Sequence, residues 1–273
     1  MGKFDGVILC TDLDGTLLCN DGIVSAENIA AIEFFKREGG VFSFVTGRLP
    51  FFVTDVCRAV MPNAPIGCIN GGGLYDLSRS EYIWTCSLPL KVLELVKYTD
   101  DAVPGVGIQV STFHTTYFCK DNFAMKKFRE ITGLPQITCK YTQVREPMAK
   151  ILFACDTEAD LYSLENKLQG HPLWKEFAFV RSGDMWYEIL PKGIGKGTAI
   201  EKLTQYLRGD MRKTLVIGDH NNDISMFETA RIGVAVANAS SAAKKAADYV
   251  TVSNEEHAVA KVISDLTHGC IRF

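Results

Sequence analysis

The sequence contains no Cys-x-x-Cys pair, and its nine cysteines are an odd number. Several of them, including Cys10, Cys68 and Cys155, lie inside apolar runs. This pattern argues against a disulfide framework and is typical of buried, reduced thiols. We therefore expect a cytoplasmic protein.

Long apolar runs are also missing. None reaches the roughly 18 residues that a membrane span needs, and the polar start Met1-Gly2-Lys3 does not resemble a signal peptide. Gly6 occupies the position where N-myristoylation needs Ser or Thr. We expect no membrane partner. The formal net charge of −3 argues against nucleic acid as a partner, although a small anionic substrate can still bind a locally positive site.

The chain has 273 residues, which is enough for one large domain or two modest ones. Its first part alternates short apolar runs, which predict buried strands, with amphipathic stretches that predict helices. This order indicates an α/β fold with a doubly wound parallel sheet. The predicted strands are 7–10, 41–45 and 66–69, and the predicted helices are one that Ser25 caps and another over 51–60.

The pattern changes near residue 80, where neighbouring strands alternate with polar residues. We predict an inserted α+β domain over residues 84–188, with an antiparallel sheet and helices on one face. The doubly wound pattern resumes after Pro191. Residues 1–83 and 189–273 are therefore expected to build one core, with hinges near 82–87 and 191–195.

The predicted first strand ends in Thr11-Asp12-Leu13-Asp14-Gly15-Thr16. If strand geometry continues, Asp12 and Asp14 point to the same side. Two such acids can hold Mg²⁺, or act as nucleophile and general acid/base. An acidic turn without a function is the alternative, because Asp and Gly are ordinary turn residues.

Three more polar loops lie at or beside predicted core strands, and each also has an ordinary explanation. Thr46-Gly47-Arg48 is a turn by itself, and Arg48 is as compatible with a surface ion pair as with substrate contact. Lys196-Gly197 is also compatible with a solvated lysine near a helix start, and the spacing of its glycine-rich stretch does not match a Walker loop. In Gly218-Asp219-His220-Asn221-Asn222-Asp223, the acids are also compatible with a helix cap and a first-turn acid.

Taken together and in this order, the four motifs resemble those of haloacid dehalogenase-superfamily phosphatases, of the Cof type with a large inserted cap (subclass IIB). Asn70-Gly71-Gly72 also stands where such proteins usually have an Asn-Gly step. The resemblance covers nearly the whole chain and implies a Rossmann-like core. It implies a hydrolase of phosphate monoesters that acts on small phosphorylated metabolites, sugar phosphates above all.

The resemblance also implies roles for individual residues. Asp12 would be the nucleophile that forms an aspartyl-phosphate, and Asp14 would be the general acid and base. Mg²⁺ would be bound by Asp12, the backbone carbonyl of Asp14 and Asp219, with Asp223 as a ligand or as an acceptor behind the ligands. The phosphate would be bound by Thr46, Gly47, Lys196 and Asn222. Arg48 would either join these donors or form a surface ion pair.

The inserted domain would recognise the leaving group of the substrate, but the sequence does not show which of its residues would do so. Candidates are the charged or polar Arg129, Arg145, Lys150, the stretch Arg181-Ser182-Gly183-Asp184 and Glu188, and the aromatic Trp84, Trp174 and Trp186. Solvated surface charges and core aromatics are the ordinary explanations.

A phosphomutase of the same superfamily is the main alternative function, because it shares these motifs; it would need a second phosphate site. A non-catalytic binding protein is disfavoured because the motif acids and Lys196 are intact. A receiver-like domain is disfavoured because it would lack the inserted domain. We expect a monomer or a weak homodimer.

Overall fold

The computed structural model describes residues 2–183 and 185–273, so Asp184 of the candidate stretch 181–184 lies outside the described residues. The chain forms two compact units. The core unit contains the residues up to Thr85 together with Gly195–Phe273, and the inserted unit is Cys86–Ile194. None of the helices in the described ranges is long and apolar enough to cross a membrane.

Both units combine β-strands with α-helices. In chain order, the strands are β1 (Ile8–Thr11), β2 (Val41–Phe44), β3 (Ile66–Cys68), β4 (Gly73–Asp76), β5 (Glu81–Thr85), β6 (Gly107–Thr112), β7 (Thr116–Lys120), β8 (Met148–Ala154), β9 (Phe177–Gly183), β10 (Trp186–Pro191), β11 (Thr214–Gly218), β12 (Ile232–Ala235) and β13 (Tyr249–Val250). The α-helices are α1 (Ala26–Arg37), α2 (Thr54–Ala59), α3 (Val92–Ala102), α4 (Phe123–Thr132), α5 (Glu158–Gln169), α6 (Lys196–Tyr206), α7 (Ile224–Thr229), α8 (Ser241–Ala246) and α9 (Ala258–His268).

The core unit is built on a parallel sheet with the strand order β13-β12-β11-β1-β2. Every residue of β1 and β11 is buried, as expected for strands that are covered on both faces. Thr11 is in register with Phe44 of β2 and with Ile217 of β11. The loops that follow these three strands therefore leave the sheet at the same edge.

The third predicted strand lies beside the end of β2, as expected for the core, and it also belongs to a second, antiparallel sheet. Strand β3 pairs antiparallel with β4 in a separate sheet of order β3-β4-β5, and one parallel bridge joins Gly67 to Val45. The reason is the turn after β3. Asn70 and Gly71 have φ values of +50° and +93°, which reverse the chain within a few residues.

The predicted helices are present, with shifted ends. Ser25 caps α1 as predicted, because its hydroxyl accepts a hydrogen bond from the backbone N–H of Asn28. The helix predicted over 51–60 is α-helical only in α2, because a 3₁₀ turn starting at Pro50 precedes it. Helix α6 begins at Lys196, so Lys196 lies in its first turn.

The inserted unit is an antiparallel sheet with the order β7-β6-β8-β10-β9. Helices α3 and α5 pack on the face that carries Ile151 and Phe153. Helix α4 packs against the alternate residues Leu152 and Ala154. Since successive strand residues point to opposite faces, α4 lies on the other face, and the prediction of helices on one face only was wrong.

The boundaries of the inserted unit differ from the predicted 84–188. Strand β5 pairs with β4 in the core unit, which places the first boundary after Thr85. Strand β10 pairs with β9 from Trp186 to Pro191, so a boundary at residue 188 would cut a paired strand. The chain passes between the units within the two predicted hinge segments; hinge motion itself stays a prediction.

Candidate active site

The loops after β1 and β11 bring Asp12 close to the start of α6. The Lys196 ammonium lies 2.8 Å from Oδ1 of Asp12 and 2.5 Å from Oδ1 of Asp223. Lys196 is completely buried, and Asp12 is 6% exposed. Because a buried ammonium is costly unless it is paired, these two carboxylates hold Lys196 in one position.

Three carboxylates form the acidic part of the site. Asp12, Asp219 and Asp223 each offer one oxygen, and these oxygens all lie within 4.8 Å of one another. Oδ1 of Asp219 accepts a hydrogen bond from the Thr16 hydroxyl at 3.1 Å. Three acids against one ammonium leave an excess of negative charge that a divalent cation would balance.

Burial and mutual repulsion shift the pKa values of these groups. Burial raises the pKa of Asp12 well above its ordinary value, against the attraction of Lys196. Burial, assisted by the charge of Asp223, raises the pKa of Asp219 to about 6. Burial would lower the pKa of Lys196, but the charges of Asp12 and Asp223 outweigh it and raise that pKa above its ordinary value.

Asp223 is held more tightly than the other two acids. Its Oδ2 accepts hydrogen bonds from the backbone N–H groups of Asp219 and His220, at 2.8 Å and 2.9 Å. Its Oδ1 receives the Lys196 ammonium. With both oxygens engaged, Asp223 shapes the loop that carries Asp219, whereas Asp12 and Asp219 have more capacity left for a cation.

Gly15 lets the first loop pass close to Asp219. Its φ is +74°, and a Cβ built on Gly15 would lie 2.6 Å from Oδ2 of Asp219. The Gly15 carbonyl accepts a hydrogen bond from the side-chain amide of Asn238 at 2.8 Å. Both the backbone conformation and the close approach therefore require glycine at this position.

The structure pairs Arg48 with the Asp14 side chain. Arg48 Nε donates to Oδ2 of Asp14 at 2.9 Å, and Nη2 pairs with Oδ1. Nη1 donates to the Phe52 carbonyl at 3.1 Å. The Asp14 side chain is 60% exposed, so it lies at the solvent side of the site. Of the two alternatives for Arg48, the geometry shows an ion pair, and that pair involves a predicted catalytic residue.

The Thr46-Gly47 loop lies against Asn70. Thr46 is buried, and its hydroxyl accepts a hydrogen bond from the Arg48 N–H at 3.2 Å. The Asn70 N–H donates to the Thr46 carbonyl at 3.0 Å. A Cβ built on Gly47 would lie 3.0 Å from Oδ1 of Asn70.

Asn222, in the loop after β11, also contacts Asn70. Its Nδ2 donates to Oδ1 of Asn70 at 3.1 Å. Asn70 was not among the predicted site residues. Its signal in the sequence was the Asn-Gly step after a predicted strand, because Asn tolerates the left-handed backbone that such a turn uses.

The Arg, Lys, Glu and Trp candidates of the inserted unit have partners within that unit. The charged ones form ion pairs: Lys150 with Glu188, Arg129 with Asp121, and Arg181 with Glu158. Arg145 donates to the Thr142 carbonyl. Trp174 stacks on Phe179 with ring centroids 3.8 Å apart, and Trp186 packs edge-on against Phe128. Trp84 belongs to the core unit and faces the Lys202 ammonium.

Comparison with known proteins identifies the family. The haloacid dehalogenase-like hydrolase family matches residues 9–263. The 5-amino-6-(5-phospho-D-ribitylamino)uracil phosphatase YwtE of Bacillus subtilis is 28% identical, over 96% of this chain and 98% of its own. The crystal structure of TM0651 from Thermotoga maritima matches with a TM-score of 0.79 and 26% identity, over 94% and 96% of the two chains.

The fold of a subclass IIB sugar phosphatase, BT4131, is similar too. It superposes with a TM-score of 0.83 over 97% of this chain and all of the other, at 22% identity, which supports the fold alone. Both matched structures cover the core unit together with the inserted unit, because each match extends over more than nine-tenths of this chain. The chain belongs to the haloacid dehalogenase-like hydrolase family and is a Cof-type phosphatase within it.

Proposed function

We propose that this phosphatase hydrolyses phosphate monoesters of small metabolites, sugar phosphates above all, with Mg²⁺ and through an aspartyl-phosphate on Asp12. The observation that carries the proposal is the position of Asp12. Its carboxylate is buried, contacts the Lys196 ammonium at 2.8 Å and lies beside Asp219. A carboxylate held in this way can attack phosphorus, because the ammonium offsets the repulsion between two anions.

Asp14 would supply the proton chemistry. In the first half-reaction it would donate a proton to the leaving oxygen as the ester bond breaks and the bond from Asp12 to phosphorus forms. In the second, it would take a proton from the water that attacks phosphorus, while the bond between phosphorus and Asp12 breaks; inorganic phosphate leaves and the Asp12 carboxylate is restored. Its exposed side chain is accessible to both. The first step needs Asp14 protonated and released from its ion pair with Arg48, whereas the second step needs the carboxylate that this pair favours.

The residues at the site fit a magnesium ion. Carboxylate oxygens are the ligands that Mg²⁺ prefers, and Asp12 and Asp219 provide two of them. The backbone carbonyl of Asp14 would add a third, with Asp223 orienting Asp219 from behind. When bound, Mg²⁺ would supply charge neutralisation between the nucleophile and the phosphate.

The remaining donors would bind the phosphate oxygens. Thr46 would donate its hydroxyl, Gly47 its backbone N–H and Asn222 its side-chain amide. The Lys196 ammonium, which also pairs with Asp12 and Asp223, would attract the phosphate by its charge. Arg48 would join them only after leaving Asp14. Donors that are fixed before the reaction contribute most to the stability of a charged transition state.

The substrate class is proposed from the names of related proteins. A ribityl phosphate occurs in the name of the Bacillus subtilis relative, and BT4131 is named a sugar phosphatase. Both names describe a phosphate on a polyhydroxylated carbon chain. We propose the same class for this chain, together with a cytoplasmic location and a monomeric or weakly dimeric state.

The test is phosphate release from a panel of hexose, pentose and ribityl phosphates with Mg²⁺. Wild type should release phosphate, a chelator should stop the reaction, and added Mg²⁺ should restore it. Asp12→Asn should be inactive but folded, whereas Asp210→Asn, which removes a surface acid paired with Arg212, should retain activity. Turnover by Asp12→Asn would remove Asp12 from the nucleophile role. Turnover only with a sugar bisphosphate activator would favour a phosphomutase.

A further inference from the structure

The turn after β3 has an unusual backbone. Ile69 and Asn70 have φ values of +57° and +50°, and Gly71 follows with +93°. Left-handed conformations are unfavourable for residues with a side chain, and such strain persists only where the surroundings impose it. Strain of this kind often accompanies functional sites, and this turn lies beside one.

The surroundings of the turn are the phosphate-binding candidates. The Ile69 N–H donates to the Arg48 carbonyl at 3.0 Å, and the Asn70 N–H donates to the Thr46 carbonyl at the same distance. A Cβ built on Gly71 would clash with the carbonyl oxygen of Gly195, the residue before Lys196. The turn is therefore held between the loop after β2 and the first turn of α6.

The Asn70 side chain completes this arrangement. It is 1% exposed, and its Oδ1 accepts the hydrogen bond from Nδ2 of Asn222 at 3.1 Å. A carboxamide nitrogen has two N–H groups, so Asn222 keeps one for another acceptor. Because the carboxamide is planar, fixing one N–H also fixes the direction of the other.

We propose that Asn70 is a positioning residue that orients the Asn222 amide toward a phosphate oxygen. The proposal rests on the proposed function, in which Asn222 binds phosphate. It also explains why this position is Asn. Glycine would adopt the left-handed backbone more easily but has no acceptor, whereas Asn tolerates that backbone and offers an amide oxygen.

The first test uses Asn70→Gly, which removes the acceptor and relieves the left-handed backbone, so the variant should fold. Ser80→Gly is the matched control, because Ser80 is an exposed non-glycine residue with a φ of +54°. We expect Asn70→Gly to raise both KM and the inhibition constant of inorganic phosphate by about tenfold, the size expected for one lost hydrogen bond near a charge. Ser80→Gly should leave both constants unchanged, and neither variant should lower Tm.

A double-mutant cycle distinguishes positioning from a general structural role. Asn222→Ala alone should cause a similar loss, and the double variant Asn70→Gly/Asn222→Ala should lose little more than either single one, because both changes remove the same contact. Additive losses, or unchanged phosphate inhibition in Asn70→Gly, would overturn the proposal.

A readout that does not require turnover separates this proposal from the proposed function. The side-chain NH₂ signal of Asn222 should move in the NMR spectrum when inorganic phosphate is added with Mg²⁺ to wild type. In Asn70→Gly this response should be lost. If wild type releases no phosphate from any substrate, the proposed function fails, but the NMR response still decides the role of Asn70. No response in wild type, or an equal response in Asn70→Gly, would contradict that role.

Discussion

The ammonium of Lys196 lies 2.5 Å from Oδ1 of Asp223, and both side chains are fully excluded from solvent. Lys196 belongs to the first turn of α6, and Asp223 lies at the start of α7. The pair therefore ties two helices of the core unit together, and Lys196 also contacts Asp12. The contribution of the pair to stability can be measured separately from the proposed role of Lys196 in catalysis.

Replacing Lys196 with Met should lower the free energy of unfolding by about 3–5 kcal/mol, the usual cost of leaving buried charge unpaired. Urea unfolding in Mg²⁺-free buffer measures this effect. Lys261→Met is the control, because the Lys261–Asp265 pair is a partly exposed pair within α9 and should contribute less than about 1 kcal/mol. Equal stability of the two variants would show that the buried pair does not stabilise the fold.

The pKa of Asp219 predicts a pH effect on the metal-free protein. Because folding raises this pKa from 3.8 to about 6, the folded state binds the proton more tightly than the unfolded state. The stabilising contribution of protonated Asp219 is present below about pH 4 and is lost as the pH rises through about 6.

Asp219→Asn removes this titration. We therefore expect the free energy of unfolding of the variant to rise relative to that of wild type between pH 4 and pH 7. Chemical unfolding of both proteins in chelator across that range gives the comparison. Added Mg²⁺ should then raise the Tm of wild type at pH 7.5 more than that of Asp219→Asn. A pH-independent difference between the two proteins would contradict the raised pKa.

Gly15→Ala should impair catalysis through Asp219. Its new methyl group would lie 2.6 Å from Oδ2 of Asp219, and its φ of +74° is unfavourable for alanine by about 1–2 kcal/mol. Gly22→Ala is a matched control, because Gly22 has a φ of +80° and nothing within 4 Å of its Cβ position. We expect both variants to lose stability, but only Gly15→Ala to lose Mg²⁺ affinity and kcat/KM. Equal activities would show that the close approach to Asp219 does not matter.

Thr46→Val should lower kcat/KM by about 10²-fold, which is typical for the loss of one fixed donor to a developing anion. Thr46→Ser keeps the hydroxyl and should retain most of the activity. Steady-state kinetics with one substrate from the panel measures both variants, and Tm shows whether each is folded. If Thr46→Val is active, the Thr46 hydroxyl does not act as a phosphate donor. Its role is then limited to the hydrogen bond that it accepts from the Arg48 N–H.

Local patterns in the sequence were sufficient to predict the architecture of the core unit. Short apolar runs predict buried strands, and the polar loops at their ends are expected at one sheet edge, because parallel strands end on the same side. The structure brings Asp12, Lys196, Asp219 and Asp223 together at that edge. Their roles in catalysis remain predictions until the variants are measured.

The tertiary structure decided which side chains contact each other. Asn70 and Asn222 are 152 residues apart, and Asp14 and Arg48 are 34 residues apart, so neither pair follows from a local pattern. The same holds for the face of the sheet that α4 covers, which depends on how its apolar side fits against Leu152 and Ala154. Hydrophobic periodicity specifies which elements form, whereas contacts between distant side chains depend on how the elements pack.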